Sequence, residues 1–201
     1  MLYTALKERS EMLEGNVYRS VGGVALATAV ILLVPLLAMR ITDEVVWTLS
    51  DFAIAGTLIF GTALIYVLAA RKAGNIAYRS AVGVALAAAF ILIWTNSAVG
   101  IIGSEDYLAN SMYGGVLAVG IAGTIVARLR PRAMAHAMLA TALALALVAV
   151  VALLARLGYP FSGPVEILAV NGFFVALFAG SALLFRYAGR EQISVGAGPE
   201  G

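Results

Sequence analysis

Six stretches of this chain are apolar for long enough to cross a bilayer, and apart from Glu166 at the start of the sixth the charged residues lie outside them. The first uninterrupted run is Val21 to Met39 and the second Phe52 to Ala70. A third runs from Ala81 to Gly103, a fourth from Tyr107 or Met112 to Ala127, a fifth from Ala133 to Ala155 and a sixth from Val165 to Phe185. A hydrocarbon core of ~30 Å needs about 20 helical residues, so each run accommodates one crossing. The pattern predicts an all-α, polytopic membrane protein of six transmembrane helices, with both termini on one side. On this reading residues 1–20 form an amphipathic or flexible N-terminal segment, 21–187 the bundle and 188–201 a disordered tail.

The runs are also related to one another. Tyr18-Arg19-Ser20, followed by Gly23-Val24-Ala25-Leu26-Ala27, recurs as Tyr78-Arg79-Ser80 followed by Gly83-Val84-Ala85-Leu86-Ala87. Each copy opens an apolar run from a basic start, which implies an even number of crossings between them. A fainter third copy starts near Arg132 and His136, so three tandem helical hairpins are expected, with duplication of only the first two as the alternative. Small residues at a spacing of four, as in Gly23 and Ala27, Gly83 and Ala87, or Gly114, Ala118 and Ala122, are expected to make contacts within the bundle rather than an oligomer interface. Pro35 is expected to kink the first span, because it removes a backbone donor.

Composition agrees with the pattern. Apolar residues make up 62% of the 201 and charged residues 12%, against ~45–50% and ~25% in soluble domains. The basic residues set an orientation: of 13, all but Arg40 and Arg156 fall on the side that carries the termini. Lysine and arginine collect in cytoplasmic loops, so the termini are expected in the cytoplasm, and the net charge of +2 is a topology signal that gives no support for nucleic-acid binding. Val21–Met39 is followed by Arg40 rather than by a small-residue cleavage site, which marks a retained span rather than a signal peptide. The chain has no cysteine and therefore no disulfide, thiolate metal site or thiol nucleophile.

Candidate chemistry gathers on the opposite side. Asp43, Glu44 and Asp51 lie around the first turn there, Asn96, Glu105, Asp106 and Asn110 around the second, and Arg156, Glu166 and Asn171 around the third. From these, Asp51, Asn96, Glu105, Asp106, Glu166 and Asn171 form a candidate polar site. Asp51 and Glu166 each stand at a helix start, where a carboxylate satisfies free amides, and capping is the favoured role for both. Asn96 and Asn171 either fasten helices together or line a polar cavity, the fastener being favoured. His136 is the only histidine, which excludes bis-histidine haem within one chain, and it lacks further zinc ligands. With no lysine in a span and no phosphate loop or dinucleotide fingerprint, no cofactor, metal or catalytic residue is expected.

The least generic stretch is Ala98-Val99-Gly100-Ile101-Ile102-Gly103-Ser104-Glu105-Asp106-Tyr107-Leu108-Ala109-Asn110-Ser111-Met112-Tyr113. Together with Asn171-Gly172-Phe173-Phe174-Val175-Ala176-Leu177 it resembles a group of uncharacterised bacterial inner-membrane proteins of about this length. The resemblance implies a multi-pass protein of that membrane and brings no activity with it. The reading that follows is a non-catalytic integral membrane protein, an accessory or scaffold subunit whose partners are the lipid bilayer and a membrane protein or a second copy of itself. The alternative is a small transporter or channel subunit with a polar site near the extracytoplasmic side; an intramembrane enzyme ranks behind both.

Overall fold

A computed structural model describes the backbone of residues 2–71, 75–104 and 106–196, and side chains within 18–71, 75–104 and 106–191. Its elements are α1 (Leu2–Ile41), α2 (Leu49–Arg71), α3 (Ile76–Ala98), a 3-10 turn (Leu108–Ser111), α4 (Met112–Ala127), α5 (Pro131–Leu154) and α6 (Pro164–Gly196). Six helical segments are long and apolar enough to span a membrane, the fourth being the 3-10 turn and α4 taken together, Leu108–Ala127. The chain is thus an all-α, multi-pass membrane protein with six spans. It divides into two compact units, Met1–Leu68 and Ala69–Gly201.

In the first unit α1 is a single helix of 40 residues that contains Pro35, and its apolar span Tyr18–Ile41 is continuous with the helical segment before it. Val24 and Thr28 are buried one turn apart, and the Thr28 hydroxyl donates to the Val24 carbonyl at 2.9 Å. Gly56 of α2 leaves room for Leu32, whose Cδ1 comes within 3.2 Å of where a Cβ would stand. Little else is enclosed: only 6% of the apolar window of α1 and 11% of that of α2 is buried.

The second unit carries the core. α5 is its centre, with α4 on one flank and α6 on another, and α3 packs against α6. Consecutive helices α4, α5 and α6 pack on one another, whereas α3 touches α4 little and is held by α6 instead. Alanines supply much of the α5 core, including Ala135, Ala137, Ala142, Ala149 and Ala152, and they allow helices to approach closely. α4 and α5 approach closely: a Cβ on Gly123 would lie 2.8 Å from the Ala137 Cβ and one on Gly120 3.1 Å from the Thr141 hydroxyl.

Small-residue contacts fall on other residues than expected. Gly23, Ala27, Ala87, Gly114, Ala118 and Ala122 are exposed, and nothing lies within 4 Å of a Cβ placed on Gly23 or Gly114. On α4 the buried face is instead Tyr113, Val116 and Ala127, with Gly120 and Gly123 in register with it. Spacing by four residues recurs on every side of an alanine- and glycine-rich helix, so it does not select a face; the large Tyr113 and its polar partner do.

Helix ends differ from the apolar runs in two places. α3 stops at Ala98 rather than near Gly103, because Gly100 takes φ +75° and the next two amides turn to a side chain instead of continuing the helix. α6 continues to Gly196, beyond the expected end of the bundle at 187: Ala188 is buried, and Gly189 lies against Pro131 and Arg132 of α5. Residues 197–201 of the expected tail lie outside the described residues, as do the side chains of residues 1–17.

One end of the second unit is basic. Asn75 caps α3 by accepting from the Tyr78 amide at 2.9 Å, and its amide group donates to the Ala188 carbonyl and, at 2.8 Å, to Glu191. The Tyr78 hydroxyl donates to the Leu129 carbonyl at 2.9 Å, and its ring meets Phe185 edge-on at 5.1 Å. Arg128 and Leu129, both with positive φ, form the turn that presents that carbonyl. These bonds bring the segments that carry Arg79, Arg128, Arg130, Arg132, Arg186 and Arg190 to the same end.

Candidate functional site

At the other end of the second unit, residues 99–104, 106–111 and 155–163 are folded around buried polar groups. Asn110, 4% exposed, is the organiser. Its side-chain oxygen accepts from the amides of Ile101 at 3.1 Å and Ile102 at 2.9 Å, and its nitrogen donates to the Ser104 carbonyl at 2.7 Å. The loop closes so tightly that a Cβ on Gly100 would stand 2.6 Å from the Ser104 carbonyl oxygen. Two amides that α3 no longer uses are satisfied in this way, as buried donors must be.

The second loop is tied to the first. The Gly103 amide donates to the buried Ser162 hydroxyl at 2.9 Å, and a Cβ on Gly158, φ +88°, would lie 3.2 Å from the Gly103 nitrogen. In the first turn of α4 the Tyr113 hydroxyl donates to Asn171 of α6 at 3.1 Å, and the Asn171 nitrogen donates back to the Ile167 carbonyl at 2.9 Å. Both side chains are 1% exposed. Asn171 therefore fastens α6 to α4.

Asn96 is the exception. Its nitrogen makes a long bond, 3.4 Å, to the Asn110 carbonyl, while its Oδ1 is the buried side-chain atom left without a partner among the described residues. Asp106 and Glu166 are exposed and carry no ion pair among the described residues, and Glu105 lies outside them. Asp51 belongs to the first unit and is engaged on its own helix. Its carboxylate accepts from the Thr48 amide and hydroxyl, both at 2.7 Å, and its own amide points to the Thr48 hydroxyl at 3.4 Å, a reciprocal capping box.

The structure thus joins Asn96 to a network of Asn110, Ser104 and Ser162, gives Asn171 a separate bond to Tyr113, and leaves the two described carboxylates of this end at the surface. Asn110, Tyr113 and Ser162 were outside the six-residue candidate set. For Asn110 and Tyr113 the signal was present in the unusual stretch 98–113; an isolated serine such as Ser162 carries none. Among the described residues no nucleophile stands beside a base here, and no three histidine or carboxylate side chains gather to hold a metal ion. Fold and site together define a multi-pass helical membrane protein whose buried polar groups, Asn96 Oδ1 apart, close within the chain. No family model, curated protein or solved structure matches the chain.

Proposed function

We propose that this is a non-catalytic integral membrane protein, an accessory or scaffold subunit that packs against a membrane-protein partner or a second copy of itself. The observation that carries this reading is the closure of the buried polar groups. Asn75, Tyr78, Asn110, Tyr113, Asn171 and Ser181 are each bonded within the chain and leave little to recognise a solute. The outward small-residue faces at Gly23 and Ala27 and at Gly114, Ala118 and Ala122 are suited to close contact with another helix.

The lysine and arginine bias supports a cytoplasmic placement of both termini, and the resemblance carried by residues 98–113 and 171–177 supports the bacterial inner membrane as its location. The repeated Tyr-Arg-Ser motif supports an origin by hairpin duplication.

Gentle purification from native membranes, followed by identification of what co-purifies, tests the role. A stoichiometric partner or a homo-oligomer, weakened by Gly23→Leu with thermal stability unchanged, is the expected result. Asn96 Oδ1 favours the second reading, a small transporter or channel subunit with a polar site near the extracytoplasmic side. A lone monomer that moves solute across reconstituted vesicles, and loses that flux with Asn96→Leu, would establish that reading and overturn the first.

A further inference from the structure

Two grooves flank α6 at the basic end of the second unit, and they meet at Arg186. The larger, about 750 Å³, runs along α6 with Val84 of α3 on one wall; Ala176, Gly180 and Leu183 form its apolar length and Arg186, Tyr187 and Arg190 its end. The smaller, about 230 Å³, lies between α6 and α5, with Ala179 and Ala182 facing Leu139 and with His136 beside Arg186. Leu183 and Arg186 border both grooves and form a ridge between them.

The dimensions match one leaflet of a bilayer. From Ala176 to Arg186 the helix rises about 15 Å, half of a ~30 Å hydrocarbon core. The apolar part of the larger groove therefore lies at acyl-chain depth and the arginines at headgroup depth; the smaller groove, from Ala179 to Arg186, is about 10 Å long and takes the upper part of a chain. Arg186 and Arg190 are exposed, and neither has an ion-pair or hydrogen-bond partner among the described residues. The neighbouring carboxylate of Glu191 accepts from Asn75. Two guanidinium groups and the Tyr187 hydroxyl thus stand available as donors where a phosphate would sit, and guanidinium is the side chain that matches phosphate geometry best.

We propose that α6 binds a diacyl anionic phospholipid, with its phosphate on Arg186 and Arg190 and one acyl chain in each groove astride Leu183. The paired grooves select this occupant. A partner helix presents one ridge and would fill one groove, whereas a diacyl lipid has two chains descending from a single anionic head. Basic pockets between membrane helices are recurrent sites for such headgroups.

The test uses the full chain, delipidated in neutral detergent and titrated with phosphatidylglycerol, phosphatidylcholine, lysophosphatidylglycerol or inorganic phosphate. Bound lipid is read by native mass spectrometry and the thermal unfolding midpoint. Phosphatidylglycerol is expected to bind about tenfold more tightly than phosphatidylcholine, and Arg186→Gln to remove most of that preference, the scale of one lost charge-assisted hydrogen bond. Gly180→Leu projects into the larger groove from a position where a Cβ meets nothing within 4 Å, so the substitution is expected to fold. This variant should weaken phosphatidylglycerol binding even if Arg186→Gln fails to fold.

Equal binding of the two diacyl lipids, or a preference untouched by Gly180→Leu, overturns the proposal. So does a midpoint shift reproduced by inorganic phosphate, which would mark a free-anion site, or by the single-chain lipid, which would dispense with the second groove. A concentration-dependent dimer disrupted by Gly180→Leu would assign the groove to a second copy and overturn it equally.

Discussion

Asn110 does at one position what a helix end otherwise needs several residues to do. It accepts two backbone amides, donates to a third backbone group and is shielded from solvent, so its removal leaves buried donors with no replacement. Asn110→Ala should destabilise the second unit by about 2–4 kcal/mol, the penalty for orphaning two such groups. Ser111→Ala, next to it but exposed, should cost little; unfolding of both variants in mixed micelles measures the difference. At this scale the sequence spoke unevenly. Asp51 was legible as a cap because Thr48-Leu-Ser-Asp51 is a local motif whose partners are three residues apart. Asn171 was legible as a fastener because an amide in an apolar helix must bond something. The identity of its partner was not legible, since Tyr113 lies 58 residues away and no local spacing connects them.

Among the elements, α4 shows most clearly what an apolar pattern leaves open. Its existence follows from composition, but its orientation about its own axis does not, because glycine and alanine occur on several faces. The buried edge is the one where Gly120 and Gly123 receive Thr141 and Ala137. Gly123→Leu should therefore separate α4 from α5 and cost about 1–3 kcal/mol or more, the scale of overpacking. Gly115→Leu, at an exposed position with nothing within 4 Å of a Cβ, should be tolerated. A reversed order of stability for this pair would assign α4 the wrong face. The same ambiguity affects the repeat. Tyr18 and Tyr78 open matching motifs, yet Tyr18 is 74% exposed while Tyr78 is 3% exposed and bonded to Leu129, so sequence identity did not carry equivalence of environment.

For the whole molecule, the number of crossings was readable because span length is set by bilayer thickness, whereas helix neighbours were not, because lipid-compatible faces resemble one another. The proposed orientation has a direct check. The chain contains no cysteine, so single cysteines can be introduced without removing any. Asp43→Cys, Asp106→Cys and Gly163→Cys should react with a membrane-impermeant maleimide added outside intact cells or right-side-out vesicles. Arg130→Cys should react only after permeabilisation. Labelling of Arg130→Cys from outside would invert the proposed topology.

The pairing of α3 with α6 also has a consequence in time. The hydroxyl of Ser181 reaches the carbonyl of Ala81 at 2.8 Å, a bond between residues 100 positions apart. At synthesis rates of about 5–20 residues per second, α3 emerges about 5–20 s before the surface that receives it exists. Through that interval its polar backbone contact and the ring of Tyr78 wait without Ser181 and Phe185. α6, made after α3, α4 and α5, is therefore the helix that completes the unit, and a chain cut short before Pro164 would leave a half-finished bundle for the cell's proteases to recognise.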